Sequence, residues 1–404
     1  MINLLKVGII GIGNTGNQIA SLGKDVLNIP VLAINSSEKD LETISNDIPQ
    51  KLIKDKEGLC QGAGKDRSLA KKLLKDSIVN ILKDEDIITM INDLDVVFIV
   101  SSTGGGTGSG TAPIMADLIA RTFVDVKVIL VGVLPVMNEA LGSLVNTLQY
   151  LDELYKALPD TTYMLYDNDK LSGLPSYQIL QKVNQEVIND INVLRCAYNY
   201  QTTFDSIDDR DMLRLLSFPG RLEVCRVENF LEKDCDNKSI EDMIINEFKS
   251  NCHVEAQRDK HVVATGVIVN LSDSLLTEFD TNILKVRDFV GVPVHSFNHI
   301  YINEDRKQPN RVFYIMNGLR KVKDKIDRIS DRIDEINEKQ KTGDEENVLG
   351  SVDLDSLSNK ISDKKNTDEV NAISINDIFS KFEWYLKCII NFYYAFHNIT
   401  NNNF

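Results

Sequence analysis

The sequence contains no apolar run that approaches the roughly 20 residues needed to cross a bilayer as a helix. Its six cysteines are scattered, and no two form a C-x-x-C pair, which argues against the common zinc patterns and against a dense disulfide framework. The amino terminus lacks the basic start and small-residue cleavage site of a signal peptide. We therefore expect a reduced, cytoplasmic environment and no membrane contact.

Basic residues are also scarce, because 45 Lys and Arg stand against 60 Asp and Glu, a formal net charge of −15 at pH 7. Such a surface argues against direct binding of nucleic acid, since phosphate recognition needs basic groups. The length of 404 residues corresponds to two domains with connectors, at about 100–200 residues per domain. The apolar share of 43% is sufficient for sizeable cores.

The first third of the chain alternates short β-rich runs with helical patterns, such as "DVVFIVSS" followed by "APIMADLIARTF". This alternation predicts an α/β fold in which helices cover both faces of a parallel sheet, with ligands bound at the carboxyl ends of the strands. A long helical pattern and a smaller α+β region follow. The predicted divisions are a ligand-binding sheet domain, a central helix, a C-terminal domain, and a tail with a charged helix, an acidic linker and an aromatic helix: 1–175, 176–205, 206–319 and 320–404.

The stretch "SSTGGGTGSG", residues 101–110, lies between a predicted strand and a predicted helix whose first turn should hold Pro113. Backbone N–H groups without side chains, hydroxyl donors and the positive end of a helix favour a di- or triphosphate. The alternative is a flexible turn without a ligand. Thr111 stands where a Walker A loop has its lysine. The predicted contacts, which we call the glycine cradle, are Thr103, Gly104, Gly105, Gly106, Thr107, Gly108 and Ser109.

Two further glycine loops point to the same kind of ligand. "GIGNTG" is a G-x-G-x-x-G after a strand, which also fits an NAD-dependent oxidoreductase. That alternative expects an acid at the end of the second strand, where Asn35 and Ser36 stand instead. "QGAGKD" supplies a third loop.

Together these segments resemble the signature of the tubulin/FtsZ family of GTPases over about residues 1–320, densely in the first 170. The resemblance implies GTP or GDP as ligand with Mg²⁺ on the phosphates; no residue is assigned to the metal. Beyond the glycine cradle, it implies nucleotide contacts from the first and third loops: Gly13, Asn14, Gly16, Asn17, Gln18, Gly62, Ala63 and Gly64.

The resemblance also implies contacts to the nucleoside. In "PVMNEA", Pro135 and Glu139 match the loop whose glutamate binds the ribose, and Asn168 in "DNDKL" matches the asparagine that reads guanine. On the central helix Asn184 is the expected second base contact, with Glu186 as its competitor. Tyr177 is a candidate for stacking on the base.

The family's catalytic segment, N-x-D-x-x-D, aligns with "SIDDRD", in which Ser206 replaces Asn while Asp208 and Asp211 keep both acids. Acids at i and i+3 share one face of a helical turn and could orient a water or a cation toward a phosphate. The alternative is acidic capping of a helix. By the resemblance, these acids complete the GTP site of the next subunit in a head-to-tail filament.

Differences between this sequence and FtsZ indicate which branch of the family it resembles. The sequence lacks an FtsZ-type C-terminal anchor peptide and the arginine-rich run after the ribose glutamate. It resembles TubZ, the plasmid and phage partition branch, more closely. The resemblance implies a filament that segregates DNA through a DNA-binding adaptor, which an acidic body would need. An FtsZ-like division filament or a phage-centring filament is the alternative.

Overall fold

The computed structural model describes residues 4–58, 62–199, 202, 205–235, 239–254, 261–280, 283–302 and 309–346. The strands are β1 Val7–Ile12, β2 Val31–Asn35, β3 Gln50–Leu52, β4 Val96–Ser102, β5 Lys127–Leu134, β6 Thr162–Asp167, β7 Gly220–Phe230, β8 Ala264–Leu271, β9 His295–Ile302 and β10 Asn310–Leu319. The helices are α1 Gly13–Leu27, α2 Glu38–Leu41, α3 Arg67–Leu82, α4 Glu85–Asn92, α5 Thr107–Thr122, α6 Leu141–Ala157, α7 Ser176–Cys196, α8 Asp209–Leu216, α9 Ile240–Ser250, α10 Asp273–Glu278, α11 Leu284–Val290 and α12 Lys323–Glu346.

The strands of the described residues form one sheet in the order β3-β2-β1-β4-β5-β6-β7-β10-β8-β9. The first six strands in this order are all parallel. The sheet continues into the C-terminal strands through a short parallel contact, in which Thr162 and Tyr163 pair with Gly220 and Arg221. Beyond it, β10 pairs antiparallel with both β7 and β8. The predicted α/β architecture is confirmed.

The central strands are apolar on both faces, which explains their formation. Every residue of β1 is buried, and β4 is buried up to Ser101. Continuous apolar runs of this kind are typical of parallel strands covered by helices on both sides. One apolar cluster joins this sheet to α1, α7 and α8, and a second lies under α9 and α11.

The carboxyl ends of five parallel strands lie at one edge of the sheet. Four of them are followed directly by segments in which the sequence predicted a ligand site: β1 by Gly13, β4 by Thr103, β5 by Pro135 and β6 by Asn168. The fifth, β2, is followed by Ser36, for which no such role was predicted. The opposite, amino edge is where β7 begins beside the first residue of β6.

Helix α5 begins earlier than the sequence predicted. It starts at Thr107, inside the glycine cradle, so Pro113 lies in its second turn and not in its first. Proline has no N–H to offer the carbonyl of Ser109 one turn earlier. The guanidinium of Arg67 donates to that carbonyl instead, with Nη2 2.8 Å from the oxygen. This buried arginine lets the helix run through the proline.

Helix α7 spans 21 residues, which at 1.5 Å per residue makes it about 31 Å long. It begins near the carboxyl edge, eight residues after Asn168, and near its other end Arg195 donates to the carbonyl of Leu27, the last residue of α1 (3.0 Å). It therefore connects the two edges of the sheet.

The charged helix predicted from residue 320 is present as α12. Described residues up to Asp327 belong to one compact unit, and the rest of α12 belongs to a second, in which Arg332 pairs with Glu335 at 2.9 Å. The predicted acidic linker and aromatic helix fall almost wholly on residues 347–404, outside the described part. Among the helices that the structure describes, none has both the length and the apolar character of a membrane span.

Replacing Gly16 by Ala should destabilise the protein, because the added Cβ would stand 2.1 Å from the carbonyl oxygen of Val100. Overpacking of this kind costs about 1–3 kcal/mol. The control is Gly142→Ala in α6, where a Cβ meets no atom within 4 Å and the free energy of unfolding should stay equal or rise slightly. Thermal denaturation of both variants checks this. Equal melting temperatures would contradict the close approach.

Candidate nucleotide site

Three glycine-containing loops meet backbone to backbone at the carboxyl edge. A Cβ on Gly13, which has a φ of +74°, would lie 3.1 Å from the amide nitrogen of Gly108. A Cβ on Gly106 would lie 2.7 Å from the Cα of Lys65. The structure thus brings together the three segments that the sequence predicted as one site, and glycine is required where they touch.

The first turn of α5 supplies the N–H groups of the glycine cradle. Thr107, Gly108 and Ser109 are the first residues of the helix, so their N–H groups have no acceptor within it. The hydroxyl of Thr107 lies 2.6 Å from that of Ser36, a buried residue that sequence reasoning missed. A helix N-terminus with open donors favours an anion.

Two predicted hydroxyl donors face the protein. The N–H of Thr103 donates to the Val133 carbonyl at 2.9 Å, and its hydroxyl lies 3.0 Å from that of Thr147. The hydroxyl of Ser109 donates to the carbonyl of Gly105. This corrects the expectation that these hydroxyls face the ligand: Thr103 ties the cradle to β5 and α6, and Ser109 braces it from within.

The first loop continues into α1. Asn14 and Gln18 are exposed and bonded to each other at 3.2 Å, one turn apart. Asn17 is fully buried and its Oδ1 accepts the N–H of Ile34 at 3.2 Å, which ties α1 to β2. In the described residues its Nδ2 has no acceptor.

The third loop adds a cation beside the glycine cradle. Gly62 and Gly64 have φ angles of +94° and +55°, and the N–H of Gly62 donates to the Ser36 carbonyl at 2.7 Å. Ala63 is buried. Lys65 follows with a φ of +64°, and its exposed ammonium reaches the hydroxyl of Ser143 at 3.3 Å. The lysine of "GAGK" is visible in the sequence, but it does not stand at the Walker A spacing.

Two buried amides lie where the resemblance placed base recognition. Asn168 and Asn184 are each 8% exposed. Within the described residues the Oδ1 of each has no hydrogen-bond donor. A buried acceptor without a partner is costly unless a ligand supplies a donor. The structure thus leaves two buried acceptors open at the positions where the resemblance implies base recognition.

The competitor on α7 is already engaged. Glu186 forms an ion pair with Arg226 of β7, so its carboxylate has a partner inside the protein. Tyr177, in the first turn of α7, is 70% exposed, and its hydroxyl accepts from Gln181 at 2.8 Å. Asn184 is therefore the more available group on this helix.

The loop after β5 and the end of β6 are each held by a polar contact from another segment. The N–H of Met137, in the loop that carries Pro135 and Glu139, donates to Asp169 at 3.1 Å. Asp167 is paired with the buried ammonium of Lys325, 2.9 Å away at the start of α12. Pro135 is buried and Glu139 is half-buried. No local pattern in the sequence indicates the role of Lys325, because its contact with Asp167 spans more than 150 positions.

A buried carboxylate fixes the middle of α7 to the C-terminal strands. Asp190, 2% exposed, accepts from the hydroxyl of Tyr166 (2.7 Å) and from Nε of Arg226 (2.7 Å), and lies 2.8 Å from Nε2 of His253. Burial, reinforced by the charge of Asp190, raises the pKa of Tyr166 well above its ordinary value, so the phenol stays a donor. The segment that carries Asn184 is therefore rigidly placed.

Asp208 and Asp211 lie far from the glycine cradle. They form a capping box at the start of α8: Oδ1 of Asp208 accepts the N–H of Asp211 at 2.8 Å, and Oδ2 of Asp211 accepts that of Asp208 at 3.4 Å. The capping alternative is thus realised, while Asp208 remains exposed and Asp211 half-buried. Ser206 is exposed, and the next N–H, of Ile207, is held by His299 at 3.1 Å.

The two halves of the predicted site lie at opposite edges of the sheet. Helix α8 leads directly into β7, which begins at the amino edge, whereas the glycine cradle is at the carboxyl edge. Helix α7, about 31 Å long, separates the two edges. Within one chain, therefore, Asp208 and Asp211 do not reach the glycine cradle. No group of three or more His, Cys, Asp or Glu side chains in the described ranges is arranged to hold a metal ion.

Comparison with known proteins identifies the sheet domain. Residues 6–175 match the GTPase domain of the Tubulin/FtsZ family. This segment is a tubulin/FtsZ-family GTPase domain. The match favours the family resemblance over the dinucleotide-enzyme alternative.

Curated relatives match part of the chain. The tubulin-like protein CetZ of Pyrococcus horikoshii is 28% identical over 218 residues, 52% of this chain and 59% of that protein. Cell division protein FtsZ 1 of Pyrococcus abyssi is 31% identical over 173 residues, 41% of this chain and 42% of that protein. The matched region thus spans about three fifths of the CetZ relative and about two fifths of the FtsZ relative.

Solved structures share this fold over most of the chain. Clostridium botulinum phage c-st TubZ aligns with a TM-score of 0.65 at 18% identity, over 83% of this chain and 98% of that one. A GTPγS-form protofilament of Bacillus thuringiensis serovar israelensis TubZ gives 0.68 at 20%, over 84% and 93%. GDP-bound CetZ1 of Haloferax volcanii gives 0.65 at 18%, over 82% and 100%. The tubulin/FtsZ-like fold is confirmed, and the TubZ branch stays a prediction.

Proposed function

We propose that this protein is a GTPase that assembles head to tail into filaments and hydrolyses GTP at the junction between two subunits. The observation that carries this proposal is the placement of the glycine cradle and the two acids at opposite edges of the sheet. Stacking one subunit on the next would place the acids of one against the cradle of the other. Such a contact does not close on itself and so produces a filament.

The site suits a guanine nucleotide. Glycine-lined N–H donors and the ammonium of Lys65 match an anionic phosphate chain. Guanine presents neighbouring N–H donors on one edge, which complement the open Oδ1 atoms of Asn168 and Asn184. Bound Mg²⁺ would neutralise charge on the phosphates. The half-buried carboxylate of Glu139 is placed in the loop that would meet the ribose.

The acids would act on water. Asp208 and Asp211 carry exposed or half-exposed carboxylates on one helical turn, a placement suited to orienting a water molecule toward a terminal phosphate. Their mutual capping holds both in fixed positions. Because they belong to the neighbouring subunit, hydrolysis would follow assembly.

Replacing Asn168 or Asn184 by Ala should weaken GTP binding by about tenfold, because each change leaves a guanine donor without an acceptor. ITP lacks the N2 amino group, so at least one variant should bind GTP no better than ITP. Calorimetric titration of the full chain measures this. Gln185→Ala, on the same helix, is the matched control. Unchanged GTP affinity in both asparagine variants would refute this base site.

Mixing two inactive variants tests whether the site is shared. Asp208→Asn keeps a good N-cap but removes the carboxylate, so it should bind GTP without turnover. Gly105→Glu should fold, because a Cβ there meets no atom within 4 Å, yet its carboxylate should repel the phosphates. Phosphate release should be near zero for each variant alone and appear on mixing.

The mixed-variant experiment has a clear negative outcome. If Asp208→Asn hydrolyses GTP normally, the acid assignment is wrong. If both variants are inactive alone and no activity appears when they are mixed, although electron microscopy shows mixed filaments, the shared site is wrong.

We propose further that the filament segregates plasmid or phage DNA through a DNA-binding adaptor, since a net charge of −15 disfavours direct contact with DNA. The match to cell division protein FtsZ 1 favours a second candidate, a cell-division filament. In partition, a captured adaptor should tether its own DNA site to GTP filaments in co-sedimentation, and its deletion should abolish plasmid inheritance. Filaments confined to the division plane, with no such adaptor, would support the second candidate.

A further inference from the structure

One amide on α6 contacts the backbone of two of the three loops. Nδ2 of Asn146 lies 2.9 Å from the carbonyl oxygen of Lys65, 3.2 Å from that of Gly104 and 3.1 Å from that of Gly105. The side chain is 8% exposed. A single NH₂ group thus gathers carbonyls from the third loop and from the glycine cradle.

These contacts fix the orientation of two peptide planes in the cradle. In a trans peptide the C=O and the N–H point in opposite directions. The carbonyls of Gly104 and Gly105 face Asn146, so the N–H groups of Gly105 and Gly106 face away from it. Within the described residues neither N–H donates to a protein acceptor. Successive N–H groups turned to one side form an anion-binding concavity.

The same helix also holds the third loop against the cradle. Lys65 has its carbonyl on Asn146 and its ammonium near Ser143, one turn earlier on α6. Its Cα lies where only glycine fits at Gly106, since a Cβ there would be 2.7 Å away. Asn146 therefore forms hydrogen bonds to both segments that meet here, the third loop at Lys65 and the glycine cradle at Gly105.

We propose that Asn146 is a positioning residue that sets the phosphate affinity of the site by turning the N–H groups of Gly105 and Gly106 toward the nucleotide. This inference rests on the proposed function. It assigns Asn146 no contact with the phosphates, because its NH₂ group, the only donor of the side chain, is directed at the three carbonyls. Its effect reaches the ligand through the peptide planes alone.

Asn146→Asp is the sharpest variant. Asp has nearly the shape of Asn but carries acceptors only, so it would set a carboxylate against three carbonyl oxygens and drive the peptides out of position. Asn146→Ser, which is shorter and uncharged, is the second variant in case the first does not fold. The matched control is Asp152→Asn on the exposed face of the same helix, where Asp152 forms an ion pair with Lys156. Thermal denaturation confirms folding in each case.

The readout is the dependence of binding on the phosphates. Dissociation constants of the full chain are measured for GTP, GDP and guanosine. Asn146→Asp should weaken the binding of GTP and of GDP by about tenfold or more, since hydrogen bonds to a charged acceptor are stronger than those between neutral groups. Guanosine binding should change by less than about twofold, because the base site is untouched. Asn146→Ser should show the same pattern in weaker form.

The outcomes separate this inference from the proposed function. If the folded variants bind GTP as tightly as the unaltered chain, the positioning role is overturned while the GTP site stands. The same holds if their affinities for guanosine and for GTP fall by the same factor. If the unaltered chain binds no GTP, the proposed function fails and this inference fails with it.

Discussion

The close approach of bare backbone at the carboxyl edge of the sheet is the constraint on which the rest of this structure depends. Gly16 lies against the Val100 carbonyl, and Gly106 lies against Lys65, with no room for a Cβ at either point. Only with the segments this close can the first turn of α5 share a site with the other two loops. Asn146 and Arg67 then bond the carbonyls that this packing turns inward.

Much of the fold and part of the site could be predicted from the sequence. Apolar runs such as that of β4 identify buried parallel strands without further information, and the glycine loops after them identify the ligand edge. The inward hydrogen bonds of the Thr103 hydroxyl could not be predicted, because its partners Val133 and Thr147 lie 30 and 44 positions away. Contacts at such separations are set by topology, which local patterns do not encode. Lys65 is visible in the sequence, but it lies in a different loop from the one that would hold a Walker A lysine.

Helix α7 carries both an open amide acceptor and the carboxylates that bind the C-terminal strands. Asn184, with an open acceptor, and Glu186, paired with Arg226, are two residues apart, and Asp190 follows one turn later. A ligand donor at Asn184 would therefore act on a helix that is already bonded to β6 and β7. The acids of α8 precede β7 directly in the chain. Asn184 thus lies on a helix whose ion pairs reach β7, the strand that follows α8 in the chain.

The proline in α5 has a consequence for how the chain reaches its native state. The carbonyl that Pro113 leaves free is bonded by Arg67, 42 residues earlier, and the loop before it is held by Asn146, about 40 residues later. The helix start is therefore a long-range structure and not a local one. Because contacts distant in sequence form slowly, we expect the first turn of α5 to be among the last parts of the sheet domain to order, after α3 and α6 have docked. A peptide cut from residues 96–122 would keep its glycines and lose its shape.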